Sequence, residues 1–115
     1  MVIIDNSLSR ADFKKKVIEK TKGKCCVPGC CCEATDAHHI LDRRLWLDGG
    51  NYLSNSASLC RQHHIEADKG IITPMQCIEY MNIDLCDLHK PDKVNLDWHE
   101  YIELLTENKL NKWGE

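Results

Sequence analysis

Two segments of this chain carry metal-ligating side chains at short spacing. Cys25-Cys26-Val27-Pro28-Gly29-Cys30 comes first, and Cys60-Arg61-Gln62-His63 follows after an intervening stretch. Cys60 and His63 are close enough for one turn of chain to present both to a single zinc ion. Pro28 and Gly29 form a tight-turn pair that folds Cys30 back towards Cys25. Cys25, Cys30, Cys60 and His63 then complete a tetrahedron around a structural Zn²⁺. Cys26 competes with Cys25 for its place, and spacing alone does not separate the two. Cys31 and Cys32 are left over. Cys77, Cys86 and His89 form a weaker set: Cys77 falls in an expected helix as a core residue, and Cys86 with His89 lacks a second pair.

A second constellation interleaves with the first. Asp36-Ala37-His38-His39-Ile40 lies between the cysteine segments, and His64-Ile65-Glu66-Ala67-Asp68 follows the second. On a helix His64 and Asp68 share a face and can hold one metal ion. On a strand, adjacent His38 and His39 point to opposite sides, so one can ligate while the other does something else. Together they suit hydrolysis of a phosphodiester, an anion with a poor leaving group. A divalent metal offsets the charge on phosphate and leaving oxygen, and a neutral imidazole takes the proton of water.

These side chains need elements to hold them. Ser9 caps an amphipathic helix with Asp12 in its first turn and Phe13, Val17 and Ile18 on one face; it runs to about Thr21 and ends at Gly23. The irregular stretch from Lys24 reads as a knuckle feeding a short strand near Ala37 to Leu41. Asp48 to Asn51 is a turn, and Tyr52 to Leu59 a second short strand or an extended loop. Cys60 to Lys69 suits a helix stopped by Gly70. Thr73, Pro74 and Gln76 open another helix in capping-box register, running to about Asn82. Trp98 to about Lys112 reads as the last helix, with Ile102, Leu104, Leu105 and Leu110 available for packing.

Composition bounds the function. At 115 residues and a net charge of −3, one domain is expected, small enough to lean on a metal. The eight cysteines fit that need. Met1-Val2-Ile3-Ile4-Asp5 has no basic start, long apolar run or cleavage site, so the expectation is an intracellular, cytoplasmic protein with thiols reduced or metal-bound rather than paired. No stretch reaches the roughly 18 to 20 apolar residues of a membrane helix. Overall acidity excludes a general nucleic-acid coat protein. It hides a gradient: residues 1–24 carry seven basic side chains against three acids, and residues 73–115 four against nine. A nucleic acid is therefore expected to be led in by the N-terminal third.

Taken in order, Cys25 to Cys30, Asp36 to Ile40 and Leu59 to His64 resemble the HNH endonuclease family over roughly Cys25 to Asp68. The resemblance implies an α+β fold: a small ββα-metal, treble-clef-like core with a structural zinc knuckle and flanking helices. The implied organisation is a basic N-terminal helix (1–24), an HNH nuclease core (25–70) and a helical C-terminal extension packing on it (71–115). It assigns His38, His64 and Asp68 as catalytic-metal ligands and His39 as general base. The family's central asparagine is Asn51 or Asn55. In colicin-type members its interval before the first helical ligand, counted back from His64, selects Asn55, which holds the loop so that His39 is aimed at water.

The chain departs from the family in two places. His63 stands where many members have a fourth cysteine, which zinc accepts. Asp68 stands where some relatives have histidine, and the harder carboxylate favours Mg²⁺ or Mn²⁺ over Zn²⁺ in the catalytic site. Arg43 and Arg44 are candidates to clamp the phosphate, with an ordinary exposed loop as the other reading. Leu45 and Trp46 are expected to pack on the ribbon, base stacking being the alternative for the indole. Asp36 is a candidate to orient a histidine from behind. The implied partner is nucleic acid, with DNA the expected substrate although nothing in the residues separates it from RNA, and no membrane role is implied. One site meets one strand at a time, so a double-strand cut requires a homodimer or two visits. Small members of this family resemble those common in phage genomes, which places such a protein in the host cytoplasm. The competing reading is a zinc-binding module that docks on nucleic acid or protein without catalysis, and it gives His39 nothing to do.

Overall fold

The structure is a computed structural model that describes residues 7–115; Met1–Asp5, read above for the absence of an export signal, lies outside them. Among the described residues are four α-helices and a two-stranded antiparallel sheet: α1 (Arg10–Lys20), β1 (Asp36–His39), β2 (Ser56–Leu59), α2 (Arg61–Asp68), α3 (Pro74–Tyr80) and α4 (Trp98–Thr106). The fold is thus a small α+β architecture. No helix among them is long and apolar enough to cross a membrane.

Local chemistry accounts for most helix boundaries. The Ser9 hydroxyl accepts from Asp12 N at 3.2 Å, and α1 buries Phe13 and Val17, two members of the face read from the sequence. Thr73 and Gln76 complete the expected capping box of α3. The helices share one way of stopping. After α2 the amide of Gly70 donates to Ala67 O and that of Ile71 to Glu66 O, with Gly70 at positive φ. This paired closure recurs after α1, α3 and α4 with Lys22, Asn82 and Asn108 in the left-handed position.

That closure corrects one boundary. The last helix ends at Thr106, not near Lys112: Asn108 turns left-handed at φ 57°, and Asn108 N and Lys109 N reach back to Leu105 O and Leu104 O. Leu110 is still buried, as part of a tail that folds back over the core.

The ribbon pairs Asp36 with Leu59 and His39 with Ser56. β1 ends at His39: Ile40 N still donates in register to Asn55 O, but the Asn55 amide turns to Tyr52 O in the preceding turn and the ladder stops there. All four residues of β2 are buried, since α1 and α3 both pack on this strand. Its small side chains permit that approach, and Ser58 is paired with the Thr21 hydroxyl at 2.8 Å and with Lys24 O.

One apolar core joins all three segments, from Phe13 and Val17 through Ile40, Leu41 and Leu59 to Ile78, Met81, Tyr101 and Leu105. Residues 71–115 therefore supply core. Trp46 is buried in it, which removes the indole from base stacking. Gly50 lies against that ring at φ 65°, and a Cβ there would fall 2.6 Å from Trp46 Cε3. Two independent reasons thus exclude other side chains at this turn.

Candidate metal centres

Cys25, Cys30, Cys60 and His63 bring their ligand atoms within 4.8 Å of one another. His63 Nδ1 lies 3.4 Å from Cys25 Sγ and 3.3 Å from Cys60 Sγ. A tetrahedron built from Zn–S and Zn–N bonds of ordinary length has S···N edges of about 3.5 Å, so the cluster is shaped for that ion. The group could hold a metal such as zinc. The other ring nitrogen of His63 faces Glu66 Oε2 at 3.8 Å, the kind of outer carboxylate that holds a ligating imidazole in one tautomer.

The competition between the first two cysteines goes to Cys25, which lies with Cys30, Cys60 and His63 while Cys26 does not. Cys25 N donates to Cys32 O, closing the hairpin that turns Cys30 inward, while Cys26 N donates to Ser58 O and its side chain packs on the core. Burial pushes the Cys26 thiol up to about 12. Cys25 is also raised by burial, to about 11, whereas the backbone N–H of Cys32 pulls Cys30 below the usual thiol range. Cys77 is buried and raised to about 12 by desolvation, a core residue. Cys86 is exposed and His89 stacks on Tyr52 at 4.0 Å; neither belongs to a metal-type group among the described residues.

The second group is His38, His64 and Asp68. The period of the strand turns Asp36 and His38 towards α2, and the i, i+4 spacing on that helix lines up His64 and Asp68 to meet them. His38 Nδ1 stands 3.7 Å from Asp68 Oδ1, and His64 Nε2 3.6 Å from Asp68 Oδ2. His64 Nδ1 lies 2.9 Å from Asp36 Oδ2, which fixes its proton there and leaves Nε2 free to ligate. Arg61 Nε approaches the same Asp36 oxygen at 3.4 Å. Burial first, and then the charge of His64, drives His38 down to about 3 despite the opposing pull of Asp68, so this imidazole is neutral. Burial tends to raise Asp68, but the Lys112 hydrogen bond first, with the neighbouring positive charge, outweighs it and holds the carboxyl below its ordinary range. Two imidazoles and one carboxylate make a donor set that fits a divalent ion.

His39 points the other way, as adjacent strand residues must. Its ring stacks on Phe13 of α1, centroids 4.6 Å apart, and its Nε2 meets Asn51 Oδ1 at 2.8 Å. The Asn51 amide is oriented by its other end, where Nδ2 donates to Leu8 O at 2.9 Å. Oδ1 must therefore accept, so His39 Nε2 carries the proton and the lone pair sits on Nδ1. Burial lowers the His39 pKa, the Asn51 bond opposes this, and Arg43 and Arg10 push it down further.

Asn55 sits elsewhere than beside His39. Its Oδ1 accepts from Leu41 N at 2.9 Å, and its Nδ2 donates to Leu41 O and Gly50 O at 3.1 and 3.2 Å. It ties the exit of β1 to the turn, while Asn51, the alternative set aside on the sequence, touches His39. Arg44 is held by Asp42 Oδ1 at 2.9 Å and lies over Trp113, whereas Arg43 is near enough for its charge to reach His39. Arg10, Lys14, His39, Asn51 and His64 line a groove of about 380 Å³ between α1 and the ribbon edge. Sequence reasoning missed Lys112, which enters the second group from 44 residues beyond Asp68. Compared with models of protein families, with curated proteins and with solved structures, the chain finds no match.

Proposed function

We propose that the protein is a metal-dependent HNH endonuclease that hydrolyses phosphodiester bonds in DNA, by nicking or cleavage. The observation that carries the reading is the pairing of a His38, His64 and Asp68 ligand group with an independently braced, neutral His39 on the same strand. A zinc module that only docks has no use for that brace.

In this reading residues 25–70 form a ββα-metal core, with β1, β2 and α2 as its parts and the Cys25, Cys30, Cys60 and His63 cluster as a structural zinc staple. A divalent ion held by His38, His64 and Asp68 supplies Lewis acidity at the phosphate. The Asp68 carboxylate makes Mg²⁺ or Mn²⁺ the fitting choice over Zn²⁺. His39 Nδ1 removes a proton from the attacking water as its oxygen bonds to phosphorus. The P–O ester bond breaks, and the leaving alkoxide takes a proton from solvent. Arg10 and Lys14 line the groove at His39 and offer the cationic approach that the basic N-terminal third implies.

Plasmid nicking with Mg²⁺ or Mn²⁺, beside a His39→Ala variant, tests the proposal. The wild type nicks, and the variant loses about 100-fold or more, as removal of a general base does, with its zinc content unchanged. A wild type inert on plasmid and on single-stranded DNA leaves the docking module as the reading. Equal cutting by both proteins refutes His39 as the base, and activity with Zn²⁺ alone refutes the metal preference.

A further inference from the structure

The tail that doubles back after α4 brings a lysine to the His38, His64 and Asp68 group. Lys112 Nζ lies 2.9 Å from Asp68 Oδ1. Its side chain is only 18% exposed, so this is no loose surface amine. The backbone around it is anchored: Asp42 N donates to Lys112 O at 2.7 Å and Gly114 N to Asn111 O at 2.9 Å. The ammonium also sits 4.8 Å from the centre of the Trp113 ring, which is itself near the Arg44 guanidinium at 4.9 Å. Lys112, Trp113, His38 and Asp68 line a cavity of about 460 Å³. It shares no lining residue with the groove that holds His39 and His64, so the ligand group straddles the two.

Resting on the endonuclease reading, we propose that Lys112 is a phosphate-binding residue of this site. Its ammonium neutralises Asp68 in the metal-free protein and passes to a non-bridging oxygen of the phosphodiester when Asp68 ligates a divalent cation. The reason is charge. One carboxylate cannot serve an ammonium at hydrogen-bond distance and a divalent ion at full strength, because the two cations repel at close range. A lysine whose stem is mostly covered keeps its ammonium at this spot, and once Asp68 turns to a cation that ammonium is available to another anion. The bound phosphodiester is the anion that arrives with the reaction. Since the backbone at Lys112 is fixed, only the flexible four-carbon stem has to turn, which a lysine allows and an arginine fork allows less.

The role predicts effects of opposite sign on two ligands, which a bracing salt bridge does not. The full chain is compared with Lys112→Met and with Lys112→Arg, which keeps the charge and the place over Trp113; zinc content and thermal unfolding confirm that each is folded. Mn²⁺ affinity is read from the resonance of the free ion. Affinity for a fluorescein-labelled single-stranded DNA oligonucleotide is read by anisotropy with Ca²⁺ as the only divalent ion. Lys112→Met is expected to bind Mn²⁺ at least about threefold more tightly, having lost the competitor for Asp68. The same variant binds the oligonucleotide at least about fivefold more weakly, with the salt dependence reduced by about one phosphate contact. Lys112→Arg, which keeps the charge on a stiffer head, recovers part of the DNA affinity. Mn²⁺ affinity that is unchanged or weaker in Lys112→Met, or DNA affinity that is unchanged, overturns the proposal. Opposed shifts in Lys112→Met beside a wild type that never nicks plasmid end the endonuclease reading and leave Lys112 as a phosphate ligand; a wild type that binds neither probe overturns both.

Discussion

His39 Nε2 and Asn51 Oδ1 lie 2.8 Å apart, and the backbone of Leu8 holds the far end of the Asn51 amide. The proton on the imidazole is thereby placed by a residue from the N-terminal segment, outside the ribbon altogether. Asn51→Ala removes that control and leaves the metal ligands in place. Nicking is expected to fall about 10- to 100-fold, the range seen when a histidine loses its orienting partner, with Mn²⁺ affinity unchanged. Parallel losses in both would show that Asn51 supports the metal group instead.

Asn55→Ala acts on stability. It leaves Leu41 N, Leu41 O and Gly50 O without their side-chain partner in a buried setting. An unpaired buried donor or acceptor costs about 1 to 3 kcal/mol, so a loss of about 2 kcal/mol or more is expected from urea unfolding. Asn51→Ala, which frees the Leu8 carbonyl and the His39 ring N–H in part-buried settings, should lose less. The reverse order would contradict the division of labour between the two asparagines.

Zinc should be part of the fold. Elemental analysis of protein purified without added metal is expected to give one zinc per chain from the Cys25, Cys30, Cys60 and His63 cluster. Removing it with a strong chelator, or replacing Cys60 by Ser, should abolish cooperative unfolding, since binding energies of about 10 to 16 kcal/mol are typical of structural zinc and exceed the stability of a small domain. Cys31→Ser, at an exposed cysteine outside the cluster, should leave zinc content and melting unchanged.

On the proposed endonuclease reading, Asp68 is expected to set the metal preference. Asp68→His substitutes a softer ligand at the exposed edge of the trio and removes the partner of Lys112. Nicking supported by Mg²⁺ is expected to drop by about tenfold or more relative to that supported by Zn²⁺ or Ni²⁺. An unchanged ranking of metals would mean that the carboxylate does not select the ion.

Much of this site was legible in the order of residues because its determinants are local. The turn at Pro28 and Gly29, the helical spacing of Cys60 with His63 and of His64 with Asp68, and the alternation of His38 and His39 follow from the periods of turn, helix and strand. The caps at Ser9 and Thr73 are equally local, each decided by a side chain three residues from the amide it accepts. The sequence by itself therefore determined, Cys25 against Cys26 apart, which residues gather into the two metal-type groups and which histidine faces away.

Tertiary structure decided what depends on distant segments meeting. The choice of Cys25 over Cys26 turns on which amide pairs with Cys32 and which with Ser58 across the knuckle. The contact of Asn51 rather than Asn55 with His39 depends on Leu8, 43 positions away. The left-handed turn at Asn108 ends α4 early and sends Lys112 back to Asp68. No periodicity within a segment encodes such meetings, because they arise only when α1, the ribbon and the returning tail bury their apolar faces in one core.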